Sequence, residues 1–191
     1  MKANGLKWSK EDFASLAGRS SENAGPNFKY DYSYEEMGLL IRKFVPAWRI
    51  EIERFFSLVL FNYLISNGDA HLKNFALLEN ISGDYLLSPA YDLINTRIHV
   101  DDVDFALSKG LFKDEFRSEA YKKSGHDSFA DFEEFGKRIG VSESRIMKLS
   151  KPFLQKQSMI EMLVHRSFLN EKCKRAYLLH YNTRLNRLNE S

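Results

Sequence analysis

The sequence has little cysteine, little charge imbalance and no long apolar run. Its single cysteine, Cys173, cannot form a disulfide within the chain. With 28 basic and 26 acidic side chains, the formal net charge is only +2, which predicts no general attraction to nucleic acid or anionic lipid. The most apolar window, residues 55–65, is too short to cross a bilayer, and the N-terminus lacks the apolar stretch of a signal peptide. These absences favour a cytoplasmic protein without a membrane segment.

Glycines in close succession are also absent. No two of the ten glycines are separated by a single residue, so the sequence contains neither a kinase-type Gly-rich loop nor a Walker A loop. Four of the five histidines, His99, His126, His165 and His180, show no metal-ligand spacing. A structural zinc site is therefore not indicated.

The patterns that are present predict a mainly α-helical fold. A hydrophobic content of 43% over 191 residues is enough for one core in a single domain, residues 1–191. Ser33 and Glu36 have the spacing of a capping box, which predicts a helix that Pro46 ends. The next helix, from Trp48 to Ile65, is apolar nearly all round and should lie at the centre of the domain.

Shorter helices are expected on both sides of this central pair. One should run from Ser9 to Leu16, followed by a loop over residues 19–32. Others should begin at Ser128 and at Ser142, with two more after Pro152. In the last helix one face should pack onto the body, because apolar and aromatic residues recur there at helical spacing: Cys173, Tyr177, Tyr181, Leu185 and Leu188.

A small β-hairpin is expected in the middle of the chain. The segments "FALLEN" and "YLLSPA" flank the turn-forming "ISGD", a pattern typical of two paired strands. If the turn lies near Ser82 and Gly83, then Asn74 and Asp92 should lie side by side at the open end of the hairpin. Asp69, only five residues before Asn74, should curl into the same pocket. A further extended segment is expected over residues 105–108.

Two carboxylates and an amide oxygen are suitable groups for a magnesium-nucleotide site. The spacing from Asp69 to Asn74 repeats that of the protein-kinase catalytic loop, in which an aspartate base precedes a metal-binding asparagine by five positions. Asp92 in "AYDL" corresponds to the metal-binding aspartate that follows a strand in kinases. Two alternatives stay open. Asp69, His71 and Asp92 could form a hydrolytic metal site, or the loop could be a turn whose side chains only cap backbone groups.

Together these segments resemble a known family. "NGDAHLKNFALL" followed by "LSPAYDLINT" resembles the signature of the HipA family, bacterial serine/threonine kinases that act as the toxin of toxin-antitoxin pairs. "KYDYSYEEMGLLIRKF" is also similar, so the resemblance covers about residues 8–108 well and the helical tail loosely. It implies a protein-kinase-like C-terminal lobe, that is, a helical bundle with the small β-hairpin at the catalytic loop.

The resemblance implies a role for each of five residues. Asp69 would be the catalytic base toward a substrate hydroxyl, and Asn74 and Asp92 would hold the Mg²⁺ that bridges the phosphates of ATP. Lys73 would bind the nucleotide and neutralise the transferred phosphoryl group, since phosphoryl transfer depends mainly on positioning and charge stabilisation. His71 would orient the loop.

The sequence departs from the family at its beginning. A HipA-type kinase starts with a smaller, strand-rich lobe that carries the phosphate-covering loop and a nucleotide-binding lysine, and this chain begins after those elements. The expectation is a large lobe without the N-terminal ATP-binding lobe, either as half of a split kinase or as a fragment. Alone it should bind ATP weakly or not at all.

The resemblance implies transfer of the ATP γ-phosphoryl group to a Ser or Thr hydroxyl of a protein. A small-lobe subunit and a HipB-like antitoxin are the candidate partners, and no direct contact with nucleic acid or membrane is expected. The competing interpretation is a non-catalytic HipA-like module that binds an antitoxin or DNA-binding regulator, with the motif residues as relics.

Two charged stretches are interpreted as solvated. The acidic "DDVD" at residues 101–104 falls where a kinase activation segment would lie, and short charge runs usually stay in water. The basic residues of the last helix are assigned to its solvent-facing side in preference to a DNA contact. They are Lys172, Lys174, Arg175, Arg184 and Arg187.

Overall fold

The computed structural model describes residues 7–190; residues 1–6 and 191, at the ends of the expected single domain, lie outside the described range. Within it the strands are β1 (Lys10–Asp12), β2 (Ala76–Glu79) and β3 (Tyr85–Leu87). The helices are α1 (Phe13–Leu16), α2 (Ser21–Ala24), α3 (Tyr34–Phe44), α4 (Trp48–Leu64), α5 (Glu119–Ser124), α6 (Phe129–Ile139), α7 (Glu143–Ser150), α8 (Ser158–Arg166) and α9 (Glu171–Leu188). Single 3-10 turns cover Leu72–Asn74 and Thr96–Ile98. The mainly helical fold with a small sheet is thus confirmed.

Helices α3 and α4 form the centre of the fold. The predicted capping box is present at the start of α3, where the Ser33 hydroxyl accepts from the Glu36 amide at 3.1 Å and the Glu36 carboxylate accepts from the Ser33 amide at 2.9 Å. Along α4, Phe55, Phe56 and Leu60 are completely buried, because α4 packs against α3, α6, α7 and α9. The apolar character of this helix therefore reflects its central position.

The hairpin of β2 and β3 belongs to a three-stranded antiparallel sheet with the order β1-β2-β3. Leu77 pairs with Leu87, and Gly83 adopts a left-handed conformation in the turn with φ of 83°. The predicted turn position is therefore confirmed. Strand β2 leads directly away from the polar loop that follows α4, so the sheet fixes where that loop ends.

The N-terminal prediction was partly wrong. Residues from Lys10 to Asp12 form β1 because they pair with β2, and the helix begins only at Phe13, with the Asp12 carboxylate accepting from the Ser15 amide at 3.0 Å. The expected loop over residues 19–32 contains the short helix α2. Residues 105–108 form bends and a turn instead of an extended strand.

The C-terminal helices mostly follow the sequence patterns. Helix α6 starts after Ser128 and ends at Gly140, which adopts a left-handed C-cap with φ of 100°. The expected inner face of α9 is confirmed in its second half, where Tyr181, Leu185 and Leu188 are buried, whereas Cys173 and Tyr177 are only half-buried. Across residues 7–190, no helix is both long and apolar enough to traverse a lipid bilayer.

One assignment on α9 was wrong. Arg184 is only 1% exposed and forms an ion pair with Asp104 of the acidic 101–104 stretch, and Arg187 pairs with the same carboxylate at 3.0 Å. These two arginines therefore do not belong to a solvent-facing surface, and the acidic stretch is not a freely solvated loop. Asp101 is the exception, with a fully exposed side chain.

Candidate active site

The loop between α4 and β2 is a buried polar segment with two outward side chains. From residue 65 to residue 74, only Asp69 and Lys73 are not buried. Burial of a polar loop is costly unless its groups are hydrogen-bonded, and here they are: the Tyr34 hydroxyl donates to the Ala70 carbonyl at 2.8 Å. The loop is therefore fixed in place, and it presents the charged side chains of Asp69 and Lys73 to solvent. A simple exposed turn would not be buried in this way.

Asn74 and Asp92 meet at the open end of the hairpin. The Asn74 side-chain amide donates to the Asp92 carboxylate, so the expected contact is present. The route to it differs from the expectation, however. The strand register continues with the Ser88 amide donating to the Ala76 carbonyl at 2.8 Å, which would place Asn74 opposite residue 90. Asp92 returns to Asn74 through a left-handed backbone conformation with φ of 57°.

Asn67 connects the separate parts of the site. Its amide nitrogen donates to the Asn62 side chain at 2.7 Å and to the Asp92 carbonyl at 3.0 Å. Its amide oxygen accepts from the backbone of Asp69 at 3.3 Å. Because Asn67 is buried, one side chain links the end of α4, the candidate base and the candidate metal ligand.

Asp69 lies beside the Tyr30 hydroxyl, which donates to its Oδ1 atom at 3.0 Å. The same Oδ1 is 3.9 Å from the Nε2 atom of His71. The Asp69 side chain is 45% exposed, so a ligand can reach it. A carboxylate held by a phenol on one oxygen can accept a proton on the other, which is the geometry that a general base requires.

His71 lies at the centre of the loop and is itself held on both sides. Its Nδ1 atom accepts from the Lys73 amide at 3.3 Å, and the ammonium of Lys29 is 2.8 Å from Nε2. Burial lowers the pKa of His71 below its ordinary value, and the charge of Lys29 acts in the same direction, although Asp69 and Asp92 oppose it. His71 is therefore neutral at neutral pH, so its Nδ1 atom can accept the hydrogen bond from the Lys73 amide.

Lys73 points outward from the loop, and its side chain is exposed. Its backbone carbonyl accepts from the Tyr91 hydroxyl at 2.7 Å. Burial and the charges of Asp12 and Asp92 raise the pKa of Tyr91 to about 12, so this hydroxyl stays protonated and keeps its donor role. Lys73 thus has a fixed backbone and an exposed side chain, which suits contact with an anionic group.

Two side chains of this site carry oxygens of the kind that Mg²⁺ takes as ligands. Among residues 7–190 there is no cluster of three or more His, Cys, Asp or Glu side chains able to hold a metal, which counts against a hydrolytic metal site built from Asp69, His71 and Asp92. Asn74 and Asp92 offer an amide oxygen and a carboxylate, and Mg²⁺ often takes one or two such protein ligands and completes its shell with water and phosphate. In this structure, however, the Asn74 atom that faces Asp92 is its amide nitrogen. The Asn74 oxygen accepts from the His71 amide at 3.1 Å, which leaves one of its lone pairs.

Gly68 lets the acidic 101–104 stretch approach the loop closely. A Cβ atom at Gly68 would lie 2.8 Å from the Val103 carbonyl and would collide with the Asp102 side chain. The Gly68 amide donates to the Thr96 hydroxyl at 2.9 Å. Residues just after Asp92 therefore cover the loop that carries Asp69.

Sequence reasoning missed two site residues, Lys29 and Tyr30, and gave no role to Asn67, although Asn67 lies in the polar stretch "NGDAHLKN". The first two lie in the predicted loop of residues 19–32, where no periodic pattern marks them, although they open the stretch "KYDYSYEE" on which part of the family resemblance rests. Their placement is fixed by the backbone: the Leu72 amide donates to the Lys29 carbonyl at 3.1 Å and the Ser108 amide donates to the Tyr30 carbonyl at 2.8 Å.

Comparison with known proteins identifies a family and several similar proteins. The family model of the HipA-like C-terminal domain matches residues 3–160. Two curated proteins named "Putative kinase" are similar to the chain. The one from Haemophilus influenzae is 25% identical over 164 residues, which are 82% of this chain and 48% of that protein. The one from Sinorhizobium fredii, Y4dM, is 34% identical over 97 residues, 50% of this chain and 22% of that protein. The chain thus spans about half the length, or less, of these relatives.

Two solved structures share the fold. HipA of Shewanella oneidensis, from a toxin-antitoxin complex with HipB and operator DNA, matches with a TM-score of 0.63 at 20% identity, covering 94% of this chain and 42% of that one. The proinflammatory kinase CtkA of Helicobacter pylori matches with a TM-score of 0.57 at 17% identity, covering 98% and 70%. Both similarities extend beyond the hairpin to the C-terminal helices.

Proposed function

Because the chain belongs to the HipA-like C-terminal domain family, we propose that it is the catalytic lobe of a HipA-like protein serine/threonine kinase. The observation that carries the proposal is the contact between the Asn74 and Asp92 side chains at the mouth of a loop that presents Asp69. These three residues, separated by up to 23 positions in the sequence, would serve as the base and the metal ligands of a kinase.

Asp69 would accept the proton of the attacking Ser or Thr hydroxyl. Its Oδ1 is occupied by the Tyr30 hydroxyl, so the second oxygen is the candidate acceptor. Asn74 and Asp92 would hold Mg²⁺, which would neutralise charge on the phosphates. ATP would supply the phosphoryl group. Lys73, exposed at the rim, would add positive charge toward the phosphates, and neutral His71 would keep the loop in shape.

The remaining parts of the nucleotide site would come from a strand-rich small lobe, on the same polypeptide or on another one. The sequence in hand contains no Gly-rich loop, and such a loop normally covers the phosphates in kinases. For partners, the related Shewanella protein is described in complex with HipB and operator DNA. A HipB-like antitoxin is therefore the proposed partner, with a protein Ser or Thr as the phosphate acceptor.

The test is phosphate transfer from labelled ATP, with candidate small lobes and candidate protein substrates supplied. Replacement Asp69→Asn keeps the size and the Tyr30 contact but removes the base, and it should reduce transfer by about 10²- to 10⁴-fold. Asp84→Asn, at an exposed position in the hairpin turn, is the matched control and should leave transfer unchanged. Undiminished transfer by the Asp69→Asn variant would refute the assignment.

A non-catalytic binding module is the second candidate, and one observation favours it. Asn74 directs its amide nitrogen at Asp92 while its oxygen accepts from the His71 amide, so the pair satisfies itself without a cation. Calorimetry separates the two proposals. Binding of Mg²⁺-ATP in the presence of a small lobe supports the kinase, whereas antitoxin binding without any nucleotide binding supports the module. Micromolar binding by the chain alone would contradict the expected need for a small lobe.

A further inference from the structure

Helix α9 lies beyond residue 160, where the match to the family model ends, yet it reaches the candidate active site. Arg184, in the second half of this helix, is 1% exposed. Its guanidinium lies over the ring of Tyr63, 4.6 Å from the ring centroid. Tyr63 is the second-last residue of α4, so the contact ties the C-terminal helix to the helix that ends at the candidate loop.

The second contact of Arg184 is with the loop itself. Its Nε atom donates to the Ser66 hydroxyl at 3.4 Å across 118 sequence positions. Ser66 is a non-glycine residue in the left-handed region, with φ of 58°, a conformation that surrounding contacts must maintain. The Ser66 carbonyl also accepts from the Thr96 amide at 3.2 Å. Ser66 is thereby held between α9 on one side and Thr96 on the other.

The third contact is with the acidic stretch that covers the loop. Arg184 donates to the Asp104 carboxylate, and the Arg97 guanidinium lies 3.8 Å from the same carboxylate. Burial by itself would raise the pKa of Asp104, but the hydrogen bond and charge of Arg184 lower it below its usual value. The Asp104 carboxylate is therefore ionised and bound at neutral pH, and it anchors the stretch that packs on Gly68.

We propose that Arg184 is a positioning residue that holds residues 66–69 in the geometry presenting Asp69. The contact to Ser66 fixes the start of the loop, and the ion pair with Asp104 fixes the cover over Gly68. Asp69 lies three residues after Ser66 and next to Gly68. A change in either contact should therefore shift the Asp69 carboxylate. The positioning of the loop stands on these contacts alone, whereas its effect on catalysis rests on the proposed kinase function.

The experiment measures amide hydrogen exchange at Gly68 and Asp69 by NMR. Ser66→Ala removes the loop end of the contact and leaves the pair of Arg184 with Asp104 intact. It should accelerate exchange at both amides by on the order of tenfold, as the loss of one buried hydrogen bond allows local opening. Arg175→Met, at an exposed position on the same helix, is the matched control and should leave these two amides unchanged.

A conservative variant adds a second readout. Arg184→Lys can keep the charge near Asp104, but an ammonium cannot reproduce the fork of a guanidinium that serves Ser66 and Asp104 together. We expect accelerated exchange at Gly68 and, in the assembled kinase, a lower kcat with the KM for ATP unchanged. Wild-type exchange in both Ser66→Ala and Arg184→Lys would overturn the proposal, and so would an equal acceleration in Arg175→Met.

The two proposals fail in different ways. If the wild-type protein transfers no phosphate but the loop amides respond as expected, the positioning stands and the kinase function falls. If transfer is normal in Ser66→Ala and Arg184→Lys and their loop amides exchange as in the wild type, the kinase function stands and the positioning falls.

Discussion

Asp127 lies in a partly buried position, and its carboxyl group allows a quantitative prediction about stability. It lines a cavity of about 390 Å³ together with residues of the 103–111 segment. Among residues 7–190, no hydrogen bond to its carboxylate is found. Burial, followed by the charge of Asp131, raises the pKa of Asp127 to about 7. The charged form is therefore disfavoured in the folded protein.

The sign and the size of the effect follow from this pKa. An unfolded aspartate has a pKa of about 3.9, so the folded state binds the proton more tightly than the unfolded state. Asp127 then imposes no penalty below pH ~4; the penalty grows as the pH rises and is complete above pH ~7. Each tenfold change in proton affinity corresponds to about 1.4 kcal/mol, which gives a maximum loss of about 4 kcal/mol.

The assay is urea unfolding of the wild type and the Asp127→Asn variant at several pH values from 4 to 8. Asparagine resembles the protonated acid, so the two free energies of unfolding should be similar at pH 4. At pH 7 the variant should be more stable by up to about 4 kcal/mol. Asp84→Asn should instead parallel the wild type. A difference between Asp127→Asn and wild type that stays constant over this pH range would refute the reasoning.

Three further predictions concern the loop. Gly68→Ala should destabilise the fold by about 1–3 kcal/mol, because its Cβ would approach the Val103 carbonyl to 2.8 Å; an unchanged melting temperature would contradict this. Asn67→Ala should cost about 3 kcal/mol of unfolding free energy, since three hydrogen bonds at about 1 kcal/mol each are lost; a loss below 1 kcal/mol on urea unfolding would show that these bonds matter little. Lys29→Met should raise the pKa of His71 in the metal-free protein, since the ammonium lowers it, and an unmoved NMR titration of the ring would exclude that influence.

The sequence was informative wherever the signal is local. The capping box at Ser33 and Glu36 and the apolar α4 depend on residues close together in the chain, and both are found as expected. The hairpin also has a local signal, because its turn residues stand between two apolar runs. The meeting of Asn74 with Asp92 followed from that hairpin, although the exact register did not, since the left-handed conformation at Asp92 leaves no trace in a periodic pattern.

Features that depend on residues far away in the chain could not be predicted from local sequence patterns. The residues of β1, "KED", have no strand pattern, and they form a strand only because they pair with β2. Lys29 and Tyr30 lie in a stretch without periodicity, and their site role arises from contacts with residues about 40 positions later. Arg184 looked like one basic residue among several on α9, and only packing against α4 distinguishes it.

Among residues 7–190, two non-glycine residues have a positive φ, Ser66 and Asp92, and they lie at the two ends of the candidate site. A left-handed conformation costs a residue with a Cβ roughly 1 kcal/mol, and glycine would adopt it freely. Selection for stability alone would thus favour glycine at both positions. Glycine would, however, remove the Ser66 hydroxyl that accepts from Arg184 and the Asp92 carboxylate that accepts from Asn74. Under the proposed function, a more heat-resistant but inactive protein lies two substitutions away.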